Sequence, residues 1–212
     1  MNFDLILFAI FCLILYIFFR LNRKKFEVQG KIIALYKTKL GINFMEKFTK
    51  LPKWLVHVLS VSSIVIGFLG MIFILRIIIE GTYTLLTKPD AQPVLAPVLP
   101  GVAIPGLPKL SFMHWIISIF IVAVIHEFSH GIFARFHKTK VKSSGFLFLG
   151  PILGAFVEPD EVELKKKSAY KQLSIFSAGP FSNIVTGIVI FFPFVIDLSV
   201  LSFTIAVAIP TL

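Results

Sequence analysis

Apolar residues lie along this chain in four long blocks, and the segments between them carry most of the charges. The blocks cover residues 3–19, 54–79, 111–134 and 172–195. A helix needs about 20 apolar residues to cross a bilayer, and each block is near that length or longer. The first block is followed by further spans and by no A-x-A-like cleavage site, which favours a permanent anchor over a signal peptide. The pattern therefore predicts an all-α polytopic membrane protein with about four transmembrane helices.

The blocks and the polar segments between them divide the chain into eight parts. In chain order we predict a first transmembrane helix at 1–19, a basic segment at 20–53, a second transmembrane helix at 54–79, a Pro-rich loop at 80–110, a third transmembrane helix at 111–134, a second basic segment at 135–171, a fourth transmembrane helix at 172–195 and an apolar tail at 196–212.

The charge distribution gives this arrangement a direction. The 212 residues carry a formal net charge of +10 and are 57% hydrophobic. Residues 20–53 hold ten Lys or Arg against two acids, and residues 135–171 hold eight against four, whereas 80–110 is balanced. Basic loops usually stay in the cytoplasm, which places the N-terminus and the Pro-rich loop outside. The positive charge is thereby explained by topology, and a nucleic-acid partner is not expected.

The first basic segment contains a helical pattern of its own. Phe44, Met45, Phe48 and Leu51 recur at helical spacing, with lysines between them. Two interpretations remain open: a short basic helix that lies in the lipid headgroup region, or a solvated charged loop.

The third apolar block contains three ionisable residues, His126, Glu127 and His130. Histidines four residues apart share one helix face and can bind one metal ion. The motif is H-E-x-x-H, in which the metal activates water and the glutamate accepts its proton. The single cysteine, Cys12, excludes a thiolate cluster. We therefore predict Zn²⁺, with His126 and His130 as ligands and Glu127 as catalytic base.

The depth of this motif supports a functional role. His126 follows Ser111 by fifteen residues, or about 22 Å along a helix, which places it in the cytoplasmic third of the hydrocarbon core. Ionisable groups at such depth are costly and usually functional. The alternative is a His–Glu cluster that is hydrogen-bonded within a helix bundle.

Residues 144–161, SGFLFLGPILGAFVEPDE, contain an apolar stretch that is too short to span a bilayer. Residues 146–149 and 152–157 suit short strands around the Gly150–Pro151 turn. We predict a re-entrant β-hairpin at 145–157, whose exposed edge could pair with an unwound substrate segment. The alternative is an ordinary cytoplasmic loop. The hairpin residues expected to bind substrate are Phe146, Gly154, Ala155 and Phe156.

The fourth apolar block carries small and polar residues near its start. Gly179–Pro180 and Gly187 allow close approach of another helix, and Ser182 and Asn183 can hydrogen-bond across the interface. Asn183 is about level with the histidines. It is expected either to orient substrate or to hold helices together, and we include it among the candidate substrate-binding residues.

Three of these stretches, taken together, resemble the site-2 proteases, which are intramembrane zinc metalloproteases. They are HEFSHG (126–131), GFLFLGPILGAFVEPDE (145–161) and QLSIFSAGPFSN (172–183). The segments LYKTKLGINFMEKFTK (35–50) and LPGVAIP (99–105) are similar to archaeal members of the long, PDZ-bearing branch. The resemblance implies a multi-pass protein of a prokaryotic cell membrane. It also implies that the activity is hydrolysis of peptide bonds within or near the transmembrane segments of membrane-protein substrates, known as regulated intramembrane proteolysis.

The resemblance also implies a third metal ligand, an aspartate in a later Asn-x-x-Pro…Asp-Gly motif. These 212 residues contain no Asp-Gly. Asp197, Glu158 and Asp160 are poor substitutes by position. We therefore expect the third ligand beyond Leu212, in a longer protein of which this chain is the N-terminal part, and no proteolysis by this chain alone.

Two other functions stay open at this point. A non-catalytic metal-binding regulator, or pseudo-protease, would keep the fold and lose the reaction. A transporter that uses the same three residues as a relay is disfavoured, because transporters commonly contain repeats and no repeat is found here.

Overall fold

The computed structural model describes residues 3–29, 33–88, 100 and 110–208, and side chains as far as Phe192 with the exception of Gln29. The described helices are α1 (Phe3–Asn22), α2 (Ile42–Lys47), α3 (Lys53–Thr87), α4 (Phe112–Phe136), α5 (Glu161–Lys165) and α6 (Ala169–Ala208). Four of them, α1, α3, α4 and α6, are long and apolar enough to cross a membrane. The predicted fold class is confirmed.

The observed helices run further than the hydrophobic blocks that predicted them. Helix α3 ends at Thr87, eight residues beyond the block at 54–79. The polar side chains near the end of this helix bond to groups of the same helix: Arg76 pairs with Glu80 at 2.6 Å, and the Thr84 hydroxyl donates to the Glu80 carbonyl at 2.8 Å. Helix α6 continues through Ala208 and includes much of the predicted apolar tail. Most of the Pro-rich loop lies outside the described residues.

The protein also contains a four-stranded antiparallel sheet, of which the sequence predicted half. Its strands are β1 (Phe26–Gln29), β2 (Ile33–Thr38), β3 (Val141–Leu149) and β4 (Ile152–Pro159), paired in the order β1-β2-β3-β4. The predicted hairpin is β3–β4, with Gly150 at a φ of 58° in its turn. Strands β1 and β2 lie within the basic segment 20–53, where no strand was predicted. The fold therefore has a larger β element than a hairpin alone.

The tip of the hairpin lies at the depth of the membrane spans. Gly150 and Pro151 line a cavity together with Cys12, which is about half way along α1. Further down the hairpin, the ring of Phe146 stacks on Phe120 of α4 at 6.2 Å between centroids. Contacts with the interior of two spanning helices are what a re-entrant position requires.

Helices α3 and α4 pack against α6 through small and polar residues. Ser60 and Ser63 of α3 are fully buried, and the Ser63 hydroxyl donates to the Ser174 carbonyl of α6 at 3.4 Å. His137, just after α4, lies 3.2 Å from the hydroxyls of both Ser60 and Ser174. Burial, together with the charges of Lys171 and Lys167, lowers the pKa of His137 to about 4. The imidazole is thus neutral at physiological pH and serves the packing of α3, α4 and α6.

Candidate active site

The two histidines of H-E-x-x-H lie on the face of α4 that packs against α6. Their rings are 4.8 Å apart between centroids. His130 Nδ1 donates to the carbonyl oxygen of Ile175 at 2.6 Å, and His126 Nδ1 lies 3.0 Å from the Asn183 amide. Each ring is therefore held through Nδ1 by a group on α6. This arrangement leaves both Nε2 atoms directed to the same point of α6, and hydrogen bonds to Nδ1 of this kind orient metal-binding histidines.

Both Nε2 atoms can approach α6 at this point because residue 179 is glycine. The Nε2 atoms of both His126 and His130 lie where a side chain at this position would begin, and a methyl group there would overlap both of them. Gly179 is thus the point of α6 at which the two imidazoles converge. The two Nε2 atoms therefore lie side by side against α6, close enough together to share one metal ion.

The chemistry of Asn183 provides a test of whether these residues fit a metal. Its Oδ1 is buried and lacks a hydrogen-bond partner among the described residues. The two orientations of a carboxamide are isosteric. Turning Oδ1 toward His126 gives this atom the Nδ1–H as its donor, and the Nε2 lone pair is then free. This orientation sets the ligating tautomer of His126 and moves the amide NH2 into the buried position that lacks a described partner. With both Nε2 lone pairs then available, the donor set fits zinc.

Asn183 is therefore predicted to support zinc binding as a hydrogen-bond acceptor. Asn183→Leu should weaken zinc affinity about 10–100-fold, the usual effect of losing a partner of a metal ligand. Asn183→Asp should restore most of the affinity, because a carboxylate also accepts from Nδ1–H. Competition with a chromogenic chelator measures both values. Equal affinities for Leu, Asp and wild type would contradict the acceptor role.

Glu127 projects toward the sheet rather than toward α6. Its Oε2 accepts the backbone N–H of Val157 on β4 at 3.3 Å. Glu127 is adjacent to His126 and three residues from His130, and its carboxylate is directed to β4. This position fits a base that contacts water and substrate without ligating the metal.

Two cavities meet at Glu127. One, of about 640 Å³, extends from Glu127 and His130 along β4 to a charged mouth formed by Lys37, Glu158, Glu161 and Lys165. The other, of about 420 Å³, lies between α4 and α6 and is lined by His126, Glu127 and Asn183. The Glu127 carboxylate thus borders a cavity with a charged mouth on one side and a cavity between α4 and α6 on the other.

The predicted substrate-binding residues lie on two strands and, in the case of Asn183, on helix α6. Gly154, Ala155 and Phe156 lie on β4, which is the edge of the described sheet, and Phe156 lines the larger cavity. Phe146 lies on β3, opposite Ala155, and packs on α4. Asn183 contacts His126 instead of the edge strand. The structure thus places Phe156 in the cavity that Glu127 lines, whereas Phe146 packs on α4 and Asn183 contacts His126.

Two of the three acids that were weighed as third ligands, Asp160 and Glu158, make contacts elsewhere, and the third is far along α6. Asp160 accepts the backbone N–H groups of Val162 and Glu163 at the start of α5. These bonds, above all that from Glu163, hold the pKa of its carboxyl below the usual value. Glu158 accepts from the Ser143 hydroxyl and pairs with Lys37. Asp197 follows Asn183 on the same helix by fourteen residues, or about 21 Å. Within the described part of the chain, no group of three metal-binding side chains occurs.

Three contributors to the site were not predicted from the sequence: Gly179, the carbonyl of Ile175 and the backbone N–H of Val157. Gly179 was assigned only to helix packing. The other two act through backbone atoms, which every residue carries, so no sequence signal points to them. The Gly179–Pro180 pair was the one available hint, since it marks an unusual point on a helix.

The comparisons with known proteins agree with this geometry. Residues 114–207, which contain H-E-x-x-H, the hairpin and most of α6, match the model of Peptidase family M50. The chain is 36% identical over 162 residues to an uncharacterized protein of the archaeon Methanocaldococcus jannaschii, MJ0971, in a match that covers 75% of this chain. The chain spans 42% of the length of that relative. No solved structure matches at a significant level. Over residues 114–207 the chain is thus similar to peptidase family M50, the family of site-2 proteases, and four of its described helices are long and apolar enough to cross a membrane.

Proposed function

We propose that this protein is a zinc-dependent intramembrane endopeptidase that cleaves membrane proteins within or near their transmembrane segments. The observation that carries the proposal is the convergence of two Nε2 atoms on Gly179 with Glu127 beside them. Members of family M50 are membrane-embedded metallopeptidases, so the family and the local geometry favour the same class of reaction.

Each residue of the site has a distinct part in this reaction. His126 and His130 would hold zinc through Nε2, and Ile175 and Asn183 keep the rings in place. When bound, zinc supplies Lewis-acid activation of water and of the scissile carbonyl. Glu127 accepts the proton of the attacking water at its carboxylate and delivers it to the leaving amine. The Val157 N–H holds this carboxylate at the strand where the peptide is expected.

Zinc in catalytic sites usually has three protein ligands, and the described residues bring two together. We propose that the third is an aspartate from a segment outside the described residues, as in the Asp-Gly motif of the resembled family. A two-ligand site would bind zinc weakly and fix its geometry poorly. The non-catalytic alternative, a metal-binding regulator, corresponds to a protein in which this third ligand never joins.

Removal of the metal tests the proposed activity. The complete gene product in proteoliposomes should cleave a single-span substrate, lose activity with 1,10-phenanthroline and regain it when zinc is returned. Peptide fragments identified by mass spectrometry would place the cut within or beside the span. Stoichiometric zinc without any cleavage would favour the pseudo-protease, and zinc-independent cleavage would contradict the proposed chemistry.

The edge strand β4 is the surface on which we propose that substrate lies. Backbone groups along an antiparallel strand point alternately to its two sides. The Val157 N–H points to Glu127 and away from β3, so the N–H of Ala155, two residues earlier, is on the same outer side. A strand edge that has no neighbouring strand among the described residues can pair with an extended peptide. A transmembrane helix would have to unwind to use it, which restricts cleavage to segments that unwind readily.

Ala155→Pro tests this pairing, because it removes an edge N–H and leaves the ladder to β3 in place. We expect kcat/KM for a transmembrane substrate to fall about tenfold or more, since one substrate hydrogen bond is lost and the edge is crowded. Ala155→Ser keeps the N–H and is the matched control. Zinc content of both variants should equal that of wild type. Unchanged cleavage by Ala155→Pro would mean that the strand is only a connector.

A further inference from the structure

Residues 39–54, between β2 and the first turn of α3, form a surface that is both basic and apolar. Four exposed lysines project from it: Lys39, Lys47, Lys50 and Lys53. Three large apolar side chains lie among them with high exposure, namely Leu40 at 59%, Phe44 at 50% and Trp54 at 68%. The acidic residue of the segment, Glu46, is bound to Arg135 of α4 at 2.9 Å. The lysines are therefore left without an acid within their own segment to compensate them.

This surface is rigidly attached to the helix that carries the active site. Met45 is fully buried and fills the space beside Gly131, the residue after His130. The Ser144 hydroxyl donates to the Leu40 carbonyl at 2.6 Å, which joins the segment to β3. Lys47 is two residues after Met45, or about 200° around the helix, and points away from the protein. Lys47 thus faces outward, whereas Met45 on the opposite side of the helix packs against α4.

The start of α3 fixes the depth of the surface. Helix α3, which is long and apolar enough to cross a membrane, begins at Lys53, and its apolar run starts at Trp54. The residues just before it are therefore expected where hydrocarbon gives way to headgroups. Lysine and tryptophan are both favoured at this level, since their apolar parts can enter the acyl region and their polar ends remain among headgroups.

We propose that residues 39–54 form a binding site for the headgroups of anionic phospholipids. The lysines match the negative headgroups, and Leu40, Phe44 and Trp54 match the acyl chains beneath them. An acidic protein would match the lysines but would leave these three apolar side chains unexplained at a depth that lipid already occupies. Because Met45 and Glu46 attach the segment to α4, a lipid bound here helps to set the depth of H-E-x-x-H in the bilayer.

Tryptophan quenching by brominated lipids tests the proposal, because the chain has two tryptophans. Trp115→Phe leaves Trp54 as the only reporter. In bilayers with equal mole fractions of lipid, brominated phosphatidylglycerol should quench Trp54 more strongly than brominated phosphatidylcholine, and added salt should reduce the difference. In the same background, Lys47→Gln/Lys50→Gln should lower the preference for phosphatidylglycerol by about fivefold per lysine.

Two matched variants make the result specific to this surface. Lys47→Arg/Lys50→Arg keeps the charge and should keep the preference. Lys24→Gln/Lys25→Gln removes equal charge from exposed residues after α1 and should leave quenching of Trp54 unchanged. Equal quenching by the two lipids in the Trp115→Phe protein with all lysines present would overturn the proposal and assign the lysines to a partner other than lipid. An equal loss in the Lys24/Lys25 variant would also overturn it, since net charge alone would then explain the preference.

Discussion

Glu127→Gln should abolish cleavage and leave zinc binding intact. In wild type the Val157 N–H donates to the Glu127 carboxylate at 3.3 Å. Glutamine has nearly the same shape, and its Oε1 can still accept this hydrogen bond. It cannot accept the proton of the attacking water, and loss of a general base lowers kcat by about 10²–10⁴-fold. The comparison is made in the complete gene product, with cleavage measured in proteoliposomes and zinc by atomic absorption.

The two readouts separate the possible roles of Glu127. If it is a ligand, Glu127→Gln loses zinc and activity together. If it is the base, activity falls alone. Glu127→Asp keeps the carboxylate and withdraws it by one methylene, so it should retain more activity than the glutamine variant. Full turnover by Glu127→Gln would contradict the proposed role.

Gly179→Ala should remove zinc from the protein as completely as His126→Ala or His130→Ala. The added methyl group overlaps the Nε2 atoms of both histidines. The rings cannot turn aside without breaking the bond from His130 to the Ile175 carbonyl or the contact between His126 and Asn183. Alanine favours helix over glycine by about 1 kcal/mol, which offsets part of the cost of this overlap.

Gly187→Ala is the matched control for this experiment. It makes the same change two turns later on α6, at a position where no heavy atom of a neighbouring described residue lies within 4 Å of the added methyl group. Its zinc content and cleavage should equal those of wild type. Zinc retained at full stoichiometry in Gly179→Ala would show that the metal is not held between the two Nε2 atoms.

The parts of the fold that follow from local pattern were predictable. Each spanning helix is specified by its own run of apolar residues, and β3–β4 by two short runs around Gly150–Pro151. The strands β1 and β2 were missed because they depend on pairing across the chain: Tyr36 of β2 lies opposite Phe146 of β3, more than a hundred residues later. The sequence near Tyr36 has no alternation that announces a strand. Its surroundings, which include the rings of Phe18 and Phe26, exist only after folding.

The sequence alone determined which residues are the candidates for the chemistry of this protein. The i, i+4 spacing of His126 and His130 places them on one helix face, and the apolar block around them fixes their depth in the membrane. Only the tertiary structure decided how that chemistry is arranged, because the deciding contacts involve atoms without a sequence signature. Because residue 179 is glycine, the imidazoles of His126 and His130 can converge on α6. The Ile175 carbonyl orients the ring of His130, and the Asn183 amide orients that of His126. The Val157 N–H directs Glu127 to the edge strand. Backbone atoms are common to all residues, and packing alone selects which of them meet the site.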